Sequence, residues 1–110
     1  MNSAFRTAFV YVRNTCAGTL QETDEGYSFQ YDAAYIADAS APAVSLTLPK
    51  QYAPYVSGTL FPFFDGLIPE GWLLNVVSRN WKLDIRDRFG LLLAACKDCI
   101  GAVSIREERL

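Results

Sequence analysis

The chain has 110 residues, 51% of them apolar and 14% aromatic, with ten basic and twelve acidic side chains and a net charge of −2. That length suits one domain, residues 1–110, with enough apolar content for a core and too much for disorder. No basic run or stripe is present, so direct nucleic-acid binding and attachment to a membrane surface are not expected of it.

The longest apolar run, Leu91 to Cys96, falls far short of a bilayer span. The N-terminus has no continuous apolar core and no small-residue cleavage site, so no signal peptide is expected. Three cysteines are an odd number, which argues against a disulfide scaffold. A cytoplasmic protein is the expectation. Histidine is absent. That removes Ser-His-Asp and Cys-His nucleophiles and the usual His-containing metal sites. No phosphate-binding glycine motif or nucleophile elbow is present, so no enzyme, cofactor or metal site is expected.

In chain order, Ala4 to Asn14 is rich in strand formers and alternates weakly. Residues 14–18 predict a turn. Residues 19–32 predict two strands around Asp24-Glu25-Gly26, with Tyr27, Phe29 and Tyr31 on one face at period two. The first thirty residues therefore predict a three-stranded meander. Ala33 to Ser40 suits one or two helical turns. Ala43 to Pro49 predicts a fourth strand with Val44, Leu46 and Leu48 on one face, bracketed by Pro42 and Pro49. Residues 50–60 read as irregular.

The second half changes period. "FPFFDGL" predicts a short helix with Pro62 in its first turn. "PEGWLLNVVSRNW" predicts another, opened by Pro69 at the first position and Glu70 at the positive end of the helix dipole. Asp84 is placed as the cap of a third helix, with Asp87 three residues on and a buried stripe of Ile85, Phe89, Leu92, Leu93 and Cys96. Gly101 to Ile105 predicts a last strand that returns to the sheet. Strands, then helices, then one strand give an α+β class: a small antiparallel sheet of about five strands, partly barrel-like, with two to three helices in the C-terminal half.

Few residues carry chemistry. Cys96 and Cys99 form a CxxC, but zinc needs four ligands and only Cys16 remains, so two ordinary cysteines are the simpler reading. The pairs Asp24-Glu25 and Glu107-Glu108 are read as solvated charges. Arg86 and Arg88 flank Asp87 near a helix start, where a solvated face outweighs a phosphate site. Asp65 stands in an apolar context, with helix capping or backbone amides as its expected task. Trp72 falls on the margin of its helical stripe, in the first turn. Geometry alone leaves core packing and an exposed recognition anchor both open, with core packing ahead. Tryptophan's enrichment in interface hot spots keeps the second reading alive.

Residues 63–71, "FFDGLIPEG", resemble the F-F-x-x-L-[LI]-P-[DE]-[GS] signature in the N-terminal subdomain of HipA-type serine/threonine kinase toxins. Tyr31 to Pro49 is similar to that subdomain's Y-x-x-x-[YW]-[IL]-x(6)-P-[LV]-S-L-[ST]-L-P segment. Arg88 to Ile105 is similar to its F-x-L-L-x(4)-[RK]-D-[SC]-[IV]-G-A-[VL] ending. The resemblance covers nearly the whole chain. In the long toxins a kinase core follows this subdomain. Here the sequence ends at Leu110 with no catalytic Asp, metal-binding Asp or nucleotide loop, so kinase activity is not expected.

A free-standing copy of the subdomain resembles the HipS family of HipBST systems. The resemblance implies an antitoxin that binds a HipT-type kinase lacking the subdomain, and reaches a HipB-type helix-turn-helix protein through the complex. It implies partner contacts from Trp72, Gly71, Glu70, Pro69, Ile68, Leu67 and Asp65, with Trp72 projecting toward the kinase active site. Leu67, Ile68 and Trp72 would then form an exposed apolar ridge that a partner covers. Two other readings remain at this stage. The domain completes a HipA-like kinase and helps it dock its DNA-binding partner without inhibiting it, or it is a small thiol protein using Cys96 and Cys99.

Overall fold

Period-two apolar spacing becomes the first three strands of a sheet. A computed structural model describes residues 5–68, 86–95 and 102–108. Strand β1, Thr7–Val12, turns Ala8, Val10 and Val12 into the core. Strand β2, Thr15–Thr23, buries Ala17 and Leu20, and β3, Gly26–Tyr31, buries Phe29 and Tyr31. All pair antiparallel, as the meander requires. The first turn is tighter than expected. Arg13 takes a left-handed φ of 58°, and Cys16 to Gly18 already belong to β2. The β1–β2 register slips by one residue between Val10 and Tyr11, so Ala17 bulges into the core.

The β2–β3 turn needs its glycine. Gly26 has φ 143°, and a β-carbon there would collide with the backbone of Ser57 and Gly58. Helix α1, Ala33–Ala37, follows and buries Tyr35. Its C-terminal end is held by the Lys50 ammonium. That group donates to the carbonyls of Asp38 and Ala41, both at 2.8 Å, and of Tyr35 at 3.4 Å. A cation there also suits the negative end of the helix dipole.

The strand expected at Ala43 to Pro49 does not form. Ser45 and Leu48 close a tight turn, with the Leu48 amide donating to Ser45 O at 3.1 Å. The Tyr31 hydroxyl accounts for the difference. It accepts from the Val44 amide at 3.0 Å and donates to the Leu48 carbonyl, so it takes the groups a ladder would use. Val44 and Leu48 are buried, while Leu46 between them is fully exposed. The fourth strand is instead β4, Tyr55–Ser57, which pairs antiparallel with β3 in the stretch read as irregular.

Helix α2, Pro62–Asp65, opens with Pro62 as expected. Helix α3 is Arg88–Ala95. Strand β5, Val103–Arg106, returns antiparallel to β1, with Ile105 opposite Val10. The strand order is β4-β3-β2-β1-β5, an open sheet that does not close into a barrel. The α+β class and the returning last strand are as expected. Leu20, Phe29, Phe64, Phe89, Leu92 and Ile105 meet in one fully buried cluster, which glues the helices to one face of the sheet. Burying side chains of this size contributes about 1.5–3 kcal/mol each.

Candidate partner-binding site

The signature segment begins in α2. Pro62 suits a first helical turn because its missing amide would have no partner there. Two residues later Phe64 is completely buried. Its ring meets Phe29 edge-on at 5.4 Å, and Phe63 and Phe61 edge-on at 5.2 and 6.1 Å. Such T-shaped pairs place the positive ring edge on the negative face. The turn continues past α2: the Leu67 amide donates to Phe64 O at 3.0 Å and the Ile68 amide to Asp65 O at 3.3 Å. Ile68 is only 6% exposed and Leu67 packs half-buried against the core. The expected exposed ridge is therefore not made by Ile68: its side chain is buried in the apolar core cluster. Pro69, Glu70, Gly71 and Trp72 lie outside the described residues, as do the stripe from Leu73 to Trp81, Asp84, Ile85, Cys96 and Cys99.

Among the described residues the Asp65 carboxylate pairs with a side chain. Its Oδ1 accepts from Arg88 Nε at 2.6 Å, across 23 positions of sequence. The carboxylate stands at the end of α2 and the guanidinium at the start of α3. Both are part-exposed, at 41% and 35%. Arg88 is thus engaged with Asp65, and the phosphate-site reading of Arg86 and Arg88 loses one of its two cations.

Helix α3 is capped by Asp87, three residues beyond the expected Asp84. The Asp87 Oδ1 accepts from the Gly90 amide at 3.1 Å, and the Leu91 amide donates to Asp87 O at 3.0 Å. The same carboxylate accepts two bonds from the Arg6 guanidinium, at 2.6 and 3.0 Å. Arg6 also grips Glu22 through Nε and Nη2, both at 2.9 Å, and donates its backbone amide to Glu22 Oε1 at 2.8 Å. One planar fork thus serves two carboxylates, a geometry lysine cannot reproduce. Arg6 hydrogen bonding holds the Glu22 and Asp87 carboxyls below the usual carboxylate range, and the two carboxylates raise the Arg6 pKa further.

The Arg6 guanidinium also lies 5.2 Å from the centre of the Phe89 ring, and Tyr27 stacks on that ring at 6.0 Å. A β-carbon on Gly90 would press on the Asp87 carboxylate and on Arg6. Glycine at that position therefore lets the fork close on the cap. The helix buries Phe89, Leu91 and Leu92, with Leu93 half-buried, so the inward face is rotated toward Leu91 from the expected stripe.

Other candidates take their simpler readings. Asp24 and Glu25 are exposed in the β2–β3 turn, and Glu107 and Glu108 are exposed after β5. Cys16 is half-buried with its thiol toward Gly18 O at 3.7 Å. Among the described residues no three His, Cys, Asp or Glu side chains could hold a metal, and no helix is long and apolar enough to cross a membrane. Among the described residues the arrangement is a packed frame with no assembled acid, base and nucleophile. The sequence reading missed Arg6, Glu22, Lys50 and the Tyr31 hydroxyl. Only the Asp87-x-x-Gly90 spacing carried a local signal.

The comparisons with known proteins agree with this frame. The family described as the HipA N-terminal domain matches residues 8–106. An uncharacterized protein of Haemophilus influenzae is 34% identical over 109 residues, covering 99% of both chains. A solved structure described as the N-terminal domain of HipA toxin superposes with a TM-score of 0.74 at 30% identity, covering 99% of this chain and 98% of that one. The family match spans most of the chain and includes the Phe64–Ile68 frame, so the chain belongs to the HipA N-terminal domain family.

Proposed function

We propose that this protein is an antitoxin that binds and neutralises a HipT-type serine/threonine kinase, with Trp72 entering near the kinase active site. Family membership supplies the context. The observation that carries the reading is the fixed departure point of the segment. Phe64 and Ile68 are locked in the core, and Asp65 is held by Arg88. Trp72 follows Ile68 by four residues, so its α-carbon stays within about 14 Å of that anchor. A bulky aromatic on a short tether from a rigid base loses little freedom on binding, which favours affinity.

The mechanism is steric. A kinase must close its Gly-rich loop over the ATP phosphates with its catalytic groups aligned. An indole wedged beside that loop holds the parts apart. Gly71 allows close backbone approach, and Pro69 and Glu70 set the direction of the segment. A buried indole anchor can contribute about 2 kcal/mol or more to binding. The domain itself is non-catalytic, binds no cofactor or metal, and meets a HipB-type DNA-binding protein only through the kinase.

Co-expression with a HipT-type kinase tests the reading. Wild type should protect cells, and Trp72→Ala should bind yet protect poorly. Full protection by a folded Trp72→Ala variant would sink the wedge. A second reading has a specific support: the solved relative is the N-terminal domain of a HipA toxin. In that reading the domain completes a kinase and helps it dock its DNA-binding partner without inhibiting it. Kinase activity that stays unchanged or rises on binding would favour it.

A further inference from the structure

We propose that Arg13, at the tip of the β1–β2 hairpin, is a docking residue that pairs with a carboxylate on the kinase surface. The inference rests on the reading of a kinase partner. It adds a contact in a different part of the chain from the Phe63-to-Trp72 segment.

The backbone gives the first observation. The hairpin turn consists of Arg13 and Asn14, because Val12 and Thr15 are the last paired positions. Arg13 takes φ 58°, and among the described residues no other non-glycine residue has a positive φ. Such a turn position favours glycine or asparagine, since a longer side chain crowds its own backbone there. Asn14 stands beside it and does not take that conformation. The chain therefore holds a long cation where a smaller residue would fold more easily. Strained backbone of this kind clusters at positions that serve function.

The second observation is that the guanidinium is exposed and unpaired. Arg6 and Arg88 hold carboxylates, Lys50 holds three carbonyls, and Arg106 lies over the Tyr11 ring. Arg13 donates its backbone amide to Ala102 O, but among the described residues its side chain meets no acceptor.

Local charge selects the occupant. Arg13 shares an open groove of about 170 Å³ with Thr15, Tyr35, Asp38 and Ser40. The Asp38 carboxylate there is held by the Ser40 amide and hydroxyl, at 3.0 and 2.6 Å. One cation beside one anion, on a chain of net charge −2, does not attract the repeated phosphates of a nucleic acid. It suits a protein surface that carries both signs of charge. A carboxylate on that surface can take two parallel bonds from the arginine fork.

The experiment measures binding to a HipT-type kinase at low and high salt. Inhibition of ATP turnover and thermal unfolding are followed on the same samples. The proteins are wild type, Arg13→Gly, Arg13→Asn, Arg13→Lys and Trp72→Ala. Arg13→Gly and Arg13→Asn should each weaken binding about tenfold at low salt, and the gap should narrow at high salt. Both should unfold at or above the wild-type temperature, because the turn is relieved. Arg13→Lys keeps the charge without the fork and should retain part of the affinity. At saturating concentration Arg13→Gly should inhibit fully, whereas Trp72→Ala should not.

Unchanged affinity for both neutral variants, with Trp72→Ala still failing to inhibit, overturns the proposal and leaves the wedge standing. A loss of the same size at both salt concentrations overturns the ion pair. A lower unfolding temperature for both neutral variants would mean that Arg13 serves the fold, and overturns the proposal as well. Failure of wild type to bind the kinase at all overturns both this proposal and the antitoxin reading.

Discussion

The meander and the helical part of this domain are held together by different forces. Strands β1 to β3 are joined by backbone ladders between neighbours in sequence, broken once by the bulge at Ala17. Helices α2 and α3 have no ladder. They are attached by side chains from distant parts of the chain: Phe64 on Phe29, Phe89 on Tyr27, Arg6 on Asp87 and Asp65 on Arg88. A ladder is robust to single substitutions because its bonds are backbone bonds. A helix held by a few side chains can be repositioned by changing one of them. Leu67 and Ile68, the last described residues before the segment proposed to meet the kinase, lie in the part whose position side chains set.

The comparison can be broken first at Phe64. Phe64→Ala should destabilise the fold by about 3–5 kcal/mol, because a large aromatic leaves a fully enclosed site. Urea unfolding at constant slope measures it. A loss under 1 kcal/mol would mean that α2 does not depend on that ring. Next comes Gly26→Ala, which tests the local half. With a positive φ and no room for a β-carbon, it should cost about 1–3 kcal/mol by the same measurement.

Arg6→Met should cost about 1–2 kcal/mol at pH 7, a figure kept low because the guanidinium is part-exposed. It also has a pH signature. Glu22 and Asp87 titrate lower in the folded protein than in the unfolded chain, because Arg6 bonds favour their charged forms. The stability they contribute is therefore full above the ordinary carboxylate range and is lost as pH falls through the folded values. The gap between wild type and Arg6→Met should be constant near neutrality and close below about pH 4. A gap independent of pH would rule out the paired carboxylates as its source. The smallest effect is expected at Leu46, which is fully exposed: Leu46→Ser should stay within about 0.5 kcal/mol of wild type.

What the sequence disclosed follows the same division. Tyr27, Phe29 and Tyr31 at period two, with Gly26 before them, announced the β2–β3 hairpin because strand pairing between neighbours is a local property. Pro62 announced the start of α2 for the same reason. Val44, Leu46 and Leu48 alternate as a strand would, yet one hydroxyl from Tyr31 holds the segment as a turn and turns Leu46 to solvent. Strand β4 is three residues long and exists by pairing with β3, so its own sequence says little. Arg6 lies 81 positions from Asp87 and Arg88 lies 23 from Asp65, and no window of sequence contains either pair. Of the proposed site, the motif from Phe63 to Gly71 was legible by its resemblance to a family. Its supports were not, because they are tertiary.

The central claim is that Trp72 carries the inhibition while the Phe64–Ile68 frame holds it in place. The most direct measurement is the activity of a HipT-type kinase titrated with wild type and with Trp72→Ala, with binding and thermal unfolding measured on the same samples. The account predicts that Trp72→Ala stays folded, binds the kinase and leaves most of its activity intact. Complete inhibition by a folded Trp72→Ala variant would contradict it.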